Sequence, residues 1–168
     1  MSSNGFQSKI WGPSAWLFLH CITLNYEPGK HSDIEYLQFF KSLQFVLPCG
    51  TCRTKYSELI KGSTLKLKLS VFKSRESLAF WFFQIHNHIN LRTGKRLVYS
   101  NDLLGFEKMK NFYEQFRAQC NDKPDSERGC VKPLHKNSKF RSVITIKPAN
   151  TRCKTLSVVK RRVKSLKT

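Results

Sequence analysis

Along the first 119 residues the apolar side chains recur with a helical period, and the pattern is cut by breaks at Glu27–Lys30 (EPGK), Pro48, Gly62 and Gly94. Strand-like alternation survives only in short stretches such as Leu65–Leu69 (LKLKL). Short helices on short connections can bury their apolar stripes only against one another. The expected fold class is therefore all-α: a four-helix bundle with an additional short helix. Pro13 suits a first helical turn, where its missing N–H would have no partner. From Ser14 to about Tyr26, Trp16, Leu19, His20, Thr23 and Leu24 share one face. Ser32 and Asp33 cap a second helix with Glu35 in its first turn, an apolar face of Ile34, Leu37, Phe40, Leu43 and Val46 or Leu47, and an end at Pro48. A third helix starts at Cys49 and Cys52 and runs to about Ile60, and residues 63–74 connect onward. Ser74 caps a long fourth helix that reaches about Arg92, with Gly94 as its stop, and a fifth runs from about Asp102 to Gln119.

Charge and aromatic content divide the chain. Residues 1–120 carry 16 Lys and Arg against 8 Asp and Glu, whereas residues 121–168 carry 14 against 3, in less than half the length. Beyond residue 117 the only aromatic residue is Phe140. A segment so charged and so poor in apolar groups does not build its own core. Residues 1–120 are expected to form the domain, and residues 121–168 a basic, largely disordered tail, in which Ser142–Pro148 (SVITIKP) is β-prone. The formal net charge of +19 favours contact with a polyanion. The first residues lack a charged segment ahead of their apolar stretch, and Gly12–Pro13 breaks that stretch, so no secretory signal and no membrane span is expected. Six cysteines in such a chain point to catalysis or metal binding before a passive disulfide framework.

The pair Cys49 and Cys52 follows a proline and opens a helix. Exposed N–H groups and the helix dipole stabilise a thiolate there, Arg53 and Lys55 add positive potential, and the spacing lets one sulfur reach the other. These features favour a redox-active disulfide. Zinc would need further ligands, and Cys120 and Cys130 form no recognisable knuckle. A thioredoxin-like site needs a βαβ context that is absent from the pattern. A structural disulfide is the remaining alternative. Elsewhere, Trp16 and His20 fall four residues apart, as do His86 and Asn90, with Asn87 beside them and Lys95 just beyond. An indole, two imidazoles, two amides and an ammonium could line a cavity for a large planar cofactor. The same residues also read as an ordinary core tryptophan and a polar helix face. Cys21, beside His20 on an apolar helix, reads as a buried thiol, and Cys153 stands alone in the tail.

The ordered motifs WGPxxWxxxH (Trp11–His20), LPCxxC (Leu47–Cys52) and HNxxNxxxGK (His86–Lys95) resemble the ERV/ALR family of flavin-linked sulfhydryl oxidases over residues 11 to about 117, and most closely its small versions in large cytoplasmic DNA viruses. The resemblance implies an enzyme with FAD as cofactor. Cys49 and Cys52 would form the catalytic disulfide, with Cys52 next to the flavin and Cys49 attacked by the incoming thiolate. Gly12, Trp16 and His20 would contact FAD from the first helix, Trp11 would flank the site, and His86, Asn87, Asn90 and Lys95 would hold its adenine and phosphate portions. Electrons would pass from a protein dithiol, a thioredoxin-like relay protein being one candidate, to O2, giving hydrogen peroxide. The resemblance further implies a homodimer through the first two helices, a candidate shuttle disulfide between Cys120 and Cys130, and a viral location in host cytoplasm and virion. There are departures. Many cellular members carry arginine where this chain has Pro13. A structural disulfide common in the family is missing, with Phe82 and Phe83 at the corresponding upstream positions, so the Phe80–Phe83 run must replace it by packing. A rival class is a non-enzymatic helical protein that binds nucleic acid through its basic tail, with salt-sensitive affinity. No metal is assigned.

Overall fold

A computed structural model describes residues 5–119, 130, 132–135, 140–148, 150–151 and 158–160. The chain divides into two compact units, Met1–Phe106 and Glu107–Thr168. The first contains α1 (Ser8–Asn25), α2 (Asp33–Val46), α3 (Gly50–Lys61), a 3-10 turn (Leu69–Lys73) and α4 (Arg75–Arg92), and α5 (Leu103–Glu114) crosses the boundary. Within the first unit α1 packs on α4, α2 packs on α3, and the 3-10 turn lies against α4 and α2. The helices are those of the expected all-α bundle.

Local chemistry explains most of the boundaries. The Ser32 hydroxyl accepts the Glu35 N–H at 3.3 Å, and the Ser74 hydroxyl accepts the Ser77 N–H at 3.0 Å, so each satisfies an orphan donor at a helix start. Gly94 ends α4 with φ of +69°, a conformation that costs glycine little. Asp102 caps α5 by accepting the Gly105 N–H at 2.7 Å. That turn is tight enough that a Cβ at Gly105 would meet the Ser100 carbonyl oxygen.

The core is aromatic and aliphatic: Phe40, Phe72, Leu78, Phe82 and Ile85 are almost completely enclosed. Its tyrosine hydroxyls and the Trp81 indole are paired. The Tyr26 hydroxyl donates to Asp33 and to the Phe72 carbonyl, the Tyr56 hydroxyl donates to the Phe40 carbonyl at 2.9 Å, and the Trp81 indole N–H donates to the Leu65 carbonyl at 2.9 Å. The last bond pins the 63–74 connection to α4. Phe82 and Phe83 are both buried, as the Phe80–Phe83 run requires if packing is to stand in for a cross-link.

Several expectations need correction. The first helix begins at Ser8 rather than at Pro13, which lies inside it. The carbonyl deprived of its donor belongs to exposed Lys9, so the loss falls in a solvated first turn. On α2, Phe40 and Leu43 are buried as expected and, of Val46 and Leu47, it is Leu47 that packs against the core, but Ile34 is 61% exposed, because α2 buries only a narrow stripe. The 63–74 connection contains the 3-10 turn, whose Val71 and Phe72 fill core space. The fifth helix stops at Glu114 instead of Gln119. Its last turn is closed by Arg117, which clasps the Glu114 carboxylate at 2.5 and 2.8 Å, and the chain then pairs as β1 (Ala118–Gln119) with β2 (Lys132–Pro133). In the same unit β3 (Phe140–Ser142) pairs antiparallel with β4 (Val158–Lys160), and Phe140 meets Phe116 edge-on. Of the β-prone segment only Ser142 is in a strand; residues 143–148 carry no regular secondary structure and are exposed.

Candidate active site

Cys49 is the N-cap of α3. Its backbone is extended (φ −153°, ψ 118°), and its sulfur accepts the Cys52 N–H at 3.3 Å. Cys49 and Cys52 are joined by a disulfide, with Cα atoms 5.1 Å apart. Both residues are half-buried, so an approaching thiol can reach the pair. The turn that delivers Cys49 is held at several points. The Cys49 N–H and the Arg53 guanidinium both donate to the Leu47 carbonyl, at 2.8 and 2.6 Å, and the Phe6 N–H donates to the Pro48 carbonyl at 2.8 Å. Sequence reasoning assigned Arg53 only a positive potential; its reach back across the turn was missed. So was the role of Gly5 and Phe6, which no spacing rule connects to residues more than forty positions away.

A second arrangement lies in the seam between α1 and α4. Trp16 stacks on His86 with ring centroids 3.9 Å apart and planes 9° from parallel. His20 Nε2 and His86 Nδ1 are 2.9 Å apart and share a hydrogen bond. Phe82 supports both residues of α1, edge-on to His20 at 5.0 Å and tilted against Trp16 at 5.5 Å. His20 is buried, and burial, followed by the neighbouring His86, pushes its pKa well below the histidine range. Burial also lowers His86, to about 4, with the Lys95 charge as the second cause. Both rings are therefore neutral at pH 7, each offering one donor and one acceptor.

The remaining candidates sit around these two arrangements. Asn87 is buried and donates to Asn101 at 3.1 Å, a partner the sequence did not suggest. Asn90 is buried too, and its backbone carbonyl accepts the Lys95 N–H at 2.9 Å, which turns exposed Lys95 back over the end of α4. The Trp11 indole N–H donates to the Phe6 carbonyl at 3.1 Å, so Trp11 is tied through Phe6 to the turn carrying Cys49. A Cβ at Gly12 would project into open space. Cys21 is exposed, contrary to the expected burial. It follows His20 by one residue, about 100° around the helix, and so leaves the face that His20 occupies. Cys130 is disulfide-bonded. Cys120 and Cys153 lie outside the described residues, and with them the expected Cys120–Cys130 shuttle.

Comparison with known proteins places these features in a lineage. A protein of Acanthamoeba polyphaga mimivirus named "probable FAD-linked sulfhydryl oxidase" is 38% identical over 101 residues, which cover 58% of this chain and 69% of the relative. The FAD-linked sulfhydryl oxidase of an African swine fever virus isolate is 29% identical over 107 residues, covering 62% of this chain and 81% of the relative. The sequence model of the Erv1/Alr family matches residues 13–117, a span holding the cysteine pair and Trp16, His20, Phe82 and His86 of the α1–α4 seam. By that match, the chain belongs to the Erv1/Alr family.

Proposed function

We propose that this protein is an FAD-dependent thiol oxidase that forms disulfide bonds in protein dithiols through Cys49 and Cys52. The observation that carries the reading is the disulfide at the N-cap of α3, half-open to an incoming thiol and stabilised on its Cys49 side by the Cys52 N–H. A substrate thiolate attacks Cys49 Sγ. The Cys49–Cys52 bond breaks and Cys52 leaves as a thiolate. The second substrate thiolate then attacks the mixed disulfide and releases Cys49 as a thiolate. The substrate gains one disulfide, and the pair holds the two electrons. Positive charge from Arg53 and Lys55 and the helix N-terminus favour the thiolate forms.

The residues fit the cofactor that the family relatives are named for. The stacked Trp16 and His86 make a flat, neutral, half-buried wall, His20 places a hydrogen-bonding group in the same seam, and Asn90 follows His86 by one helical turn on α4. Lys95 puts an ammonium at its edge, suited to phosphate. Glycine inside a helix costs about 1 kcal/mol relative to alanine, and the open space at Gly12 gives this chain no packing reason of its own for that loss. A ligand passing close to the backbone there supplies one. Held by these residues, FAD would supply the two-electron acceptor for the reduced cysteines and the route from there to O2, which would leave as hydrogen peroxide. The chain's own part is to hold the ring wall dry on Phe82, keep both imidazoles neutral, and present the sulfurs.

Further assignments follow the same reading. Residues 1–120 form the oxidase domain, with residues 121–168 as a basic appendage that contacts polyanions. Exposed Phe18 on α1 and Ile34 on α2 support a homodimer through these two helices. The reading further assigns the protein to host cytoplasm and the virion, with a thioredoxin-like relay protein as substrate. No helix among the described residues is long and apolar enough to cross a membrane.

The visible spectrum of purified protein tests the central claim. An oxidised-flavin spectrum that bleaches with dithiothreitol under nitrogen and returns in air, with FAD identified in the extract, is expected. A colourless protein that makes no peroxide from dithiothreitol after incubation with FAD overturns it.

A further inference from the structure

The short arm ahead of α1 is built against the catalytic turn. Gly5 lies so close that a Cβ there would sit 2.7 Å from the Pro48 carbonyl oxygen and 3.1 Å from the Cys49 Cα. Both neighbours are backbone, so neither can swing aside. The Phe6 N–H donates to the Pro48 carbonyl at 2.8 Å, and the Phe6 carbonyl accepts the Trp11 indole N–H at 3.1 Å, which anchors the arm to α1. The arm contributes little to the core, since the Phe6 side chain is 76% exposed. Its contacts are backbone contacts, and they are aimed at the residues that carry Cys49.

We propose that Gly5 and the Phe6 N–H are positioning residues for the redox pair, bracing Pro48 and Cys49 so that the Cys49 sulfur stays at the Cys52 N–H. In the oxidised protein the disulfide itself holds Cys49 to α3. Once the pair is reduced, that link is gone. Cys49 then keeps one bond into α3, its carbonyl accepting the Arg53 N–H at 3.0 Å, while the side of Cys49 facing away from the helix rests on the turn, which has an N–H-less proline at its centre. Arg53 grips Leu47 on one side of that proline, and the arm grips its carbonyl on the other. With both grips in place the Cys49 thiolate keeps its N–H donor. Without the arm the thiolate drifts into solvent and becomes harder to form.

This inference rests on the proposed cycling of Cys49 and Cys52, but its test needs neither flavin nor turnover. Full-length protein is reduced under nitrogen, and alkylation of Cys49 by iodoacetamide is followed across pH by peptide mass spectrometry. In Gly5→Ala and in Phe6→Pro, which removes the donor, the pH midpoint is expected to rise by about half a unit to one unit. The rate at pH 7 then falls roughly three- to tenfold. Phe6→Ala retains the N–H and is expected to restore the parental midpoint. Parental midpoints in both Gly5→Ala and Phe6→Pro overturn the proposal, even if thermal melts show those variants to be less stable. A colourless, inactive protein with shifted midpoints sinks the oxidase reading and leaves the brace standing. A yellow, active protein with unshifted midpoints sinks the brace alone.

Discussion

The α1–α4 seam and the start of α3 handle their reactive groups in opposite ways. The seam buries its imidazoles, pairs them with each other and backs them with Phe82, so their charge is suppressed. The start of α3 leaves two cysteines half-exposed at a helix N-terminus, with Arg53 and Lys55 within one turn of Cys52 on the same helix, a setting that favours charge. A surface that must hold a flat ligand gains from dryness and fixed rings. A nucleophile that must meet a second protein needs access and a stabilised anion. Separate helices let one small bundle supply both environments without compromise.

The contrast breaks most sharply at Cys52. Cys52→Ala is expected to lower thiol oxidation at least about a thousandfold, since residues acting as a unit fail together. The flavin spectrum, which the proposed function assigns to the seam, should survive. Oxygen consumption with dithiothreitol measures the first and absorbance the second; retained turnover excludes Cys52 from the pair's chemistry.

Acid separates the regions next. His86 titrates at about 4 in the folded protein against 6.5 ordinarily, and His20 is lowered as well. Between these values the unfolded chain binds more protons, so stability falls as pH drops from about 6.5 towards 4. His86 accounts for at most about 3 kcal/mol of that loss. Urea midpoints at pH 7 and pH 4.5 should show the fall, and His86→Asn should flatten it. An equal slope in the variant would place the acid sensitivity elsewhere.

The smallest of these effects concerns the ring wall alone. Trp16→Ala removes the stacking plane and is expected to weaken FAD binding roughly tenfold. The alkylation of reduced Cys49 should stay within about twofold of the parent, because the sulfurs rest on the turn and not on the seam. Flavin titration by fluorescence and the same mass-spectrometric assay report the two quantities. A parallel loss in both would mean that the regions are one cooperative structure.

The places where sequence reasoning succeeded share a cause. Ser32 and Ser74 cap the helices they precede, Gly94 stops α4, and Cys49 starts α3, because each of these choices is settled within a few residues by backbone hydrogen bonding. The face of α1 that carries Trp16 and His20 was legible for the same reason, since a helical period relates residues four apart. Errors arose where distant chain intervened. The end of α5 yields to the pairing of Ala118–Gln119 with Lys132–Pro133, and the exposure of Ile34 depends on how much of α2 its neighbours cover.

By itself the sequence determined the helices, the neighbouring cysteines at a helix start, and the chemical types available to a cofactor, because all of these follow from local periodicity and spacing. Only the tertiary structure decided that Trp16 lies flat on His86, that His20 meets His86, and that Gly5 and Phe6 brace the turn before Cys49. Those contacts join residues from forty to seventy positions apart. No local rule reaches that far: the seam contacts exist because packing the apolar faces of α1 and α4 brings their polar edges into register, and the arm's contact because backbone meets backbone ahead of α1.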